Sequence, residues 1–88
     1  MHPYPAQDAI TMTKEEVLSI FYRAGVFLTP DEAQRQLRPQ PDRRSFYSYL
    51  RRLNRQGLLE RRSAGRGSLA YRISDRGRKR LLYLQQTR

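Results

Sequence analysis

The second half of the chain constrains the fold more than the first. It opens with an amphipathic helical pattern over Arg43–Gln56, whose apolar residues recur at helical spacing. Gly57 ends this pattern, as glycine commonly does after the last turn of a helix. Two strand-like segments follow, Leu58–Ser63 and Leu69–Ser74, and the glycine-rich segment Ala64–Ser68 joins them. The order predicts a helix, a β-hairpin and a further helix capped by a serine, which is the second half of a winged helix-turn-helix.

The first half contains start and stop signals for the two helices that this fold needs before its hairpin. Thr13 and Glu16 have the spacing of a capping box, and Gly25 is placed to end the helix that they begin. The segment Thr29–Glu32 combines an N-cap threonine, a proline at the first helical position and a glutamate at the third. Pro39 is expected to end this second helix.

A length of 88 residues predicts a single domain. Residues 1–12 hold two prolines and no helical period, so we expect a flexible N-terminal tail. Residues 13–88 then form the domain, and Val26–Leu28 is a short extended apolar link within it. The predicted fold class is mainly α with a small β-hairpin wing, α+β overall, in a winged helix-turn-helix arrangement.

Positive charge is concentrated in the part of the sequence that follows the first two predicted helices. The chain has a net charge of +10, but residues 1–38 carry four cations against five acidic residues. Residues 39–88 carry fourteen cations against three acidic residues. Such asymmetry favours a polyanionic partner, because basic surfaces steer polyanions and release their condensed counterions. Sixteen of the eighteen cations are arginines, whose planar fork suits phosphates and guanine edges.

The outer face of the predicted third helix carries the first set of candidate contacts. Its inner face is formed by Phe46, Tyr49, Leu50 and Leu53, and the whole helix lacks an acidic residue. In a helix-turn-helix, the second helix of the pair enters the major groove with its N-terminal residues nearest the bases. Arginine pairs with guanine, and serine contacts bases or phosphates. The candidate DNA-binding residues of this helix are Arg43, Arg44, Ser45, Tyr47, Ser48, Arg51, Arg52 and Arg55.

The hairpin carries the second set of candidate contacts. Arg66 lies between two glycines at the tip, where it could enter a minor groove and its negative potential. Arg61 or Arg62 would meet phosphates at the base of the wing. Strand alternation places only one of these two on the exposed face, and the pattern does not decide between them. Arg62 and Arg66 are the wing residues that we include among the candidates.

The sequence gives little support to catalysis or to a bound cofactor. There is no cysteine, and the one histidine, His2, lies in the predicted tail, so no metal ligand set can be assembled around it. No apolar run approaches the length of a membrane span or of a signal-peptide core. We therefore expect a cytoplasmic, nucleoid-associated protein that is not an enzyme, needs no cofactor and has no evident small-molecule effector.

Two motifs in the second half resemble known regulators. They are Leu53–Arg61, LNRQGLLER, and Tyr71–Arg78, YRISDRGR, in which a strand ends at a serine cap with a glycine three residues later. Residues 50–82 resemble the winged-helix regulators of the PadR and MarR families. The wing, Gly65–Gly67 leading to Tyr71, looks more like PadR, and the acidic residue typical of the MarR wing is absent. The resemblance implies a homodimeric transcriptional repressor.

These features favour sequence-specific binding to double-stranded DNA, with residues 43–56 in the major groove and the wing, residues 61–72, on the minor groove and phosphates. A homodimer is expected, since Leu81, Leu82 and Leu84 exceed what one core-facing stripe needs. Two alternatives stay open. The first is an RNA- or ribosome-associated winged helix, and the second is a winged helix whose third helix docks on an acidic protein.

Overall fold

The computed structural model describes residues 12–87, which fold into four helices and one β-hairpin. The elements are α1 (Lys14–Ala24), α2 (Pro30–Gln34), α3 (Arg43–Arg55), β1 (Leu59–Gly65), β2 (Ser68–Ile73) and α4 (Asp75–Gln86). The predicted fold class, mainly α with a β-hairpin wing, is confirmed. The predicted tail lies outside the described residues except for Met12, which packs against the core.

The predicted capping box is present at the start of α1, and the predicted N-cap of α2 is also part of a capping box. At α1, the Thr13 hydroxyl accepts the Glu16 N–H at 3.1 Å, and the Glu16 carboxylate accepts the Thr13 N–H at 2.9 Å. At α2, Thr29 and Glu32 make the same exchange at 3.2 and 2.9 Å. Each box satisfies two of the N–H groups that a helix start leaves without a partner. Gly25 ends α1 in the left-handed conformation, with φ 68°.

The second helix is shorter than the sequence predicts. It was expected to run to Pro39, but α2 ends at Gln34. Beyond it, the Gln36 N–H donates to the Ala33 carbonyl at 3.0 Å, and the Leu37 N–H donates to the Gln34 carbonyl at 3.1 Å. Bonds across three residues are typical of 3₁₀ turns, which wind more tightly than an α-helix. The tighter turn keeps Leu37 in the core, as predicted, with 7% of its surface exposed.

The rotation of α3 agrees with the predicted pattern. Phe46, Leu50 and Leu53 are fully buried, and Tyr49 is half-buried at the edge of the core. They pack in one cluster with buried side chains of α1, the hairpin and α4. The other buried members of this core are Val17, Leu18, Ile20, Phe21, Ala33, Leu37, Leu58, Leu59, Tyr71, Ile73 and Leu81. The opposite face of α3 is therefore left to solvent.

The hairpin is antiparallel and closes with a two-residue turn. Leu59 pairs with Ile73 at its base, and a bulge lies between Ser63 and Gly65 near its tip. The glycines of the tip have positive φ, with Gly65 at 91°, and Arg66 between them also has a positive φ, of 52°. Gly67 follows with φ 77°. Two successive positive φ values give a turn that matches the right-handed twist of the strands. Arg66 therefore has a backbone conformation that residues other than glycine rarely adopt.

The apolar link between α1 and α2 joins the hairpin as a third, very short strand. Leu28 and Tyr71 exchange backbone hydrogen bonds in both directions, each at 2.8 Å. The sequence predicted an extended link but not its partner. This bridge ties β2 to the residues that lead directly into α2, so the wing and the two helices of the helix-turn-helix share one backbone frame.

A buried serine connects the end of α3 to the start of α4. The Ser74 hydroxyl donates to the Gly57 carbonyl at 2.6 Å, and the same oxygen accepts the Gly77 N–H at 2.9 Å. Gly77 faces the Leu58 carbonyl so closely that a Cβ atom would overlap it, and Ile73 Cγ1 would be 2.8 Å from that Cβ. The Ser74–Gly77 spacing noted in the sequence thus reflects a helix start pressed against backbone.

Gly77→Ala should therefore destabilise the fold by about 1–3 kcal/mol or more, because backbone must move to admit the methyl group. This loss should exceed the gain in helix propensity of about 1 kcal/mol. Lys79→Ala, an exposed substitution in the same helix, should stay within about 0.5 kcal/mol of the wild type. Thermal unfolding compares the three proteins. A Gly77→Ala variant as stable as the wild type would contradict the close packing described for this junction.

Candidate nucleic-acid interface

The outer face of α3 presents arginines that form no salt bridge within residues 12–87. Arg44, Arg51 and Arg55 are exposed, and none forms a salt bridge with any residue in the described range. Ser45 and Ser48 are exposed on the same helix. The predicted phase of α3 therefore exposes seven of its eight candidate residues, all except the partly buried Tyr47.

Arg52 lies at one side of this face. It is exposed, and its guanidinium is 6.0 Å from the centroid of the Tyr49 ring. Burial raises the pKa of Tyr49, and the nearby Arg52 charge opposes that rise. Arg52 therefore flanks the strip formed by the outer arginines and does not lie on its centre.

The first turn of α3 is held by its N-cap. The Asp42 carboxylate accepts the Ser45 N–H at 3.0 Å, as predicted for a helix start. This hydrogen bond is the main reason that the pKa of Asp42 lies below its usual value, although desolvation acts in the opposite direction. An open hollow of about 650 Å³ lies beside this turn. Its lining consists of Asp42, Arg43, Arg44, Tyr47, Ser48 and Arg51.

Two of the predicted contact residues are bound to α2 in the free protein. The Tyr47 hydroxyl donates to Asp31 Oδ1 at 3.0 Å, and Arg43 Nη2 lies 3.5 Å from Asp31 Oδ2. Arg43 also donates to the Tyr47 hydroxyl at 3.4 Å. The hydrogen bond to Tyr47, followed by the charge of Asp31, raises the pKa of Arg43. Asp31, Arg43 and Tyr47 therefore form one polar cluster, which we call the Asp31 cluster.

A groove joins α3 to the wing. It has a volume of about 460 Å³. Its lining comes from the start of α2, the outer side of α3 and the tip of the hairpin. These residues are Thr29, Pro30, Asp31, Tyr47, Arg51, Gly67, Ser68, Leu69 and Tyr71. Arg51 borders both this groove and the hollow beside the first turn, so it lies at the centre of the combined surface.

The structure separates the two arginines at the base of the wing. Arg61 is paired directly with Tyr71, which lines the groove, so it lies on the groove side of the hairpin. Arg62 lies on the other side, with its guanidinium 4.1 Å from the centroid of the Phe27 ring. Arg72 approaches the same ring at 4.6 Å. Arg61 and Arg62 are both exposed. The predicted contact residue Arg62 is stacked on an aromatic ring, and Arg61 is not.

Sequence reasoning missed three side chains that organise this surface. Asp31 looked like an ordinary acidic residue in the first turn of a helix, and Phe27 looked like part of an apolar link. Asn54 Nδ2 donates to the Leu59 carbonyl at 2.8 Å and fixes the end of α3 to the first strand. Only the polar character of Asn54 within LNRQGLLER gave a signal, since all three roles depend on contacts across the fold.

Neither a metal site nor a membrane span is found in the described range. Between residues 12 and 87, no three histidine, cysteine or acidic side chains lie together as a metal site would require. Within the same range, no helix has the length and apolar character needed to cross a bilayer.

The overall structure is similar to those of two RosR complexes. The complex structure hsRosR-S1 superposes with a TM-score of 0.73 and 18% identity over 91% of this chain and 76% of that chain. The complex structure hsRosR-S4 gives the same TM-score and identity over 92% of this chain and 75% of that chain. No protein-family model matches the sequence, and no curated protein matches it significantly. The fold of this chain is the winged helix.

Proposed function

We propose that this protein binds double-stranded DNA in a sequence-specific manner and acts as a small transcriptional regulator, a repressor, at the nucleoid. The observation that carries the proposal is the outer face of α3. It presents Arg44, Arg51 and Arg55, which form no salt bridge in the described range, and one groove connects it to the wing. In this proposal α3 enters the major groove, and the wing contacts the minor groove and its phosphates.

The chemistry of this face suits a DNA duplex. The major groove is about 12 Å wide and admits a helix, and arginine reads guanine through two hydrogen bonds. We assign base contacts to the N-terminal and central side chains of α3, which are Arg44, Ser45, Ser48 and Arg51. Phosphate contacts are assigned to Arg52 and Arg55, and a minor-groove contact to Arg66. The shared fold with RosR supports this class of function.

The surface favours DNA over the two alternatives. The major groove of A-form RNA is deep and too narrow for side chains on a helix to read, so a protruding α3 fits B-form DNA better. A protein partner would favour apolar contact area. None of the large apolar side chains that are exposed between residues 12 and 87 belongs to α3, and of these Leu69 borders the groove beside it; they are Tyr22, Val26, Leu69, Leu82 and Tyr83.

Arg51→Ala tests the proposed recognition helix. If Arg51 pairs with a guanine, its loss should cost roughly 1–3 kcal/mol on the preferred sequence and relax specificity at one position. Arg23→Ala on α1, also exposed, is the matched control and should have little effect. Competition assays against random duplex measure both. Equal affinity of Arg51→Ala and wild type would contradict the assignment.

Salt dependence tests the partner class. With roughly 6 phosphate contacts, the slope of log affinity on log salt should be about −5, because each contact releases condensed counterions. Titrations at several salt concentrations give the slope. A slope near zero would point to a protein partner instead of a nucleic acid.

The two arginines at the wing base should differ in their contribution. Arg61→Ala should weaken DNA binding more than Arg62→Ala, because Arg61 lies on the groove side and Arg62 is stacked on Phe27. The two substitutions remove the same charge from adjacent positions, so each controls for the other. Binding titrations decide, and a larger loss for Arg62→Ala would restore the assignment made from the sequence.

We further propose that two copies bind DNA together. The expected apolar seam is narrower than the sequence suggested, since Leu81 is buried and Leu84 packs against the core. Leu82 and Tyr83 stay 56% and 54% exposed on α4. A symmetric dimer would require half-sites about one helical turn apart. Leu82→Glu should then give a folded monomer that binds half-sites weakly. Sedimentation of the wild type as a monomer, free and on DNA, would remove this proposal and leave DNA binding intact.

A further inference from the structure

A carboxylate lies on the surface that is proposed to meet DNA phosphates. Asp31 borders the groove between α3 and the wing and is the acidic residue among its lining side chains. Its side chain is 47% exposed, so solvent and ions reach it. Its position calls for an explanation, because a fixed negative charge beside a phosphate backbone opposes binding.

The start of α2 does not need this side chain. The Thr29 hydroxyl and the Glu32 carboxylate already satisfy each other's N–H groups in the capping box. Glu32 also places a negative charge in the first turn, where it favours the helix dipole. The carboxylate oxygens of Asp31 are instead directed to α3, one to the Tyr47 hydroxyl at 3.0 Å and the other to Arg43 at 3.5 Å.

The Asp31 cluster keeps Arg43 from acting as a free cation. Arg43 lies over the Tyr47 ring at 5.5 Å from its centroid and beside the Asp31 carboxylate. A phosphate that Arg43 contacts must approach the Asp31 carboxylate, which already offsets part of the Arg43 charge. Arg44 and Arg51 line the same hollow as Arg43, beside the first turn of α3, but they form no salt bridge within the described range.

We propose that Asp31 is a specificity-determining residue that lowers affinity for random DNA, an inference that rests on the proposed function. Binding to random sequence depends almost entirely on phosphate contacts. Nothing else in that complex offsets the repulsion between the carboxylate and the phosphates. On a preferred sequence, base contacts along α3 hold the helix in one register, and in this proposal that register keeps the Asp31 carboxylate away from the phosphates, so the repulsion acts mainly on random sequence. Specificity is a difference between affinities, and a repulsive element against the wrong partner increases it.

Asp31→Asn tests the proposal in the full-length protein. The amide keeps the size of the side chain and an oxygen that accepts the Tyr47 hydroxyl, but it loses the charge. With one phosphate contact added by Arg43, affinity for random duplex at 0.1 M salt should rise roughly 8-fold, and the salt slope should steepen by about 0.9. Affinity for the selected sequence should rise less, so the ratio of the two affinities should fall.

Asp75→Asn on α4 is the matched control. It also removes one negative charge and also releases a paired arginine, since Asp75 lies 2.6 Å from Arg78. Its effect on random duplex should be small. In the Asp31→Asn background, Arg43→Gln should cancel the gain. Melting curves verify that each variant is folded.

The outcomes separate the two levels of the account. Equal gains from Asp31→Asn and Asp75→Asn would reduce the effect to net charge and overturn the inference. If Asp31→Asn leaves affinity for both kinds of duplex unchanged or lowers it, Asp31 only connects α2 to α3. This result would also overturn the inference. A wild-type protein without salt-sensitive duplex binding would instead overturn the proposed function itself.

Discussion

The packing of Phe46, Leu50 and Leu53 against the core fixes the rotation of α3, and this rotation decides what the protein presents to a partner. All three side chains are fully buried. A shift of one residue would rotate the helix by about 100° and bring arginines toward the core. Burying an unpaired charge costs several kcal/mol even after relaxation, so the alternative rotations are strongly disfavoured. The exposed arginine strip is thus a consequence of how the core is filled.

The position of the wing depends on contacts that converge on the end of α3. Asn54 bonds to the Leu59 carbonyl, and Ser74 bonds to the Gly57 carbonyl. Tyr71 is buried in the core and bridged to Leu28. These contacts join the first residues of β1 and the last residues of β2 to the helix pair. The groove between α3 and the wing therefore has walls that are both anchored to the same core.

The features that the sequence predicts well are local ones. Both capping boxes, the phase of α3 and the serine cap of α4 follow from residues within a few positions of each other. The predicted end of α2 was wrong, because the chain tightens into a 3₁₀ turn before Pro39 is reached. This turn keeps Leu37 buried. The Leu28–Tyr71 bridge was missed for a related reason, since forty-odd residues separate its partners and no local pattern records the pairing.

The candidate site divides along the same line. The exposure of Arg44, Ser48 and Arg51 follows from helical period alone, and the structure agrees with it. The engagement of Arg43 with Asp31 required the fold, because it joins two helices across the turn between them. The choice between the adjacent arginines of β1 required the position of Phe27, which alternation along a strand cannot supply.

Selection of bound sequences from a random pool of duplex DNA, at low and at moderate salt, tests the central claim most directly. The account predicts that a short motif is enriched at both concentrations. Enrichment should be sharper at moderate salt, where binding that depends on phosphates alone is weakened. A protein that binds the pool tightly and with salt sensitivity, yet enriches no motif at either concentration, would contradict the assignment of α3 as a sequence-reading helix.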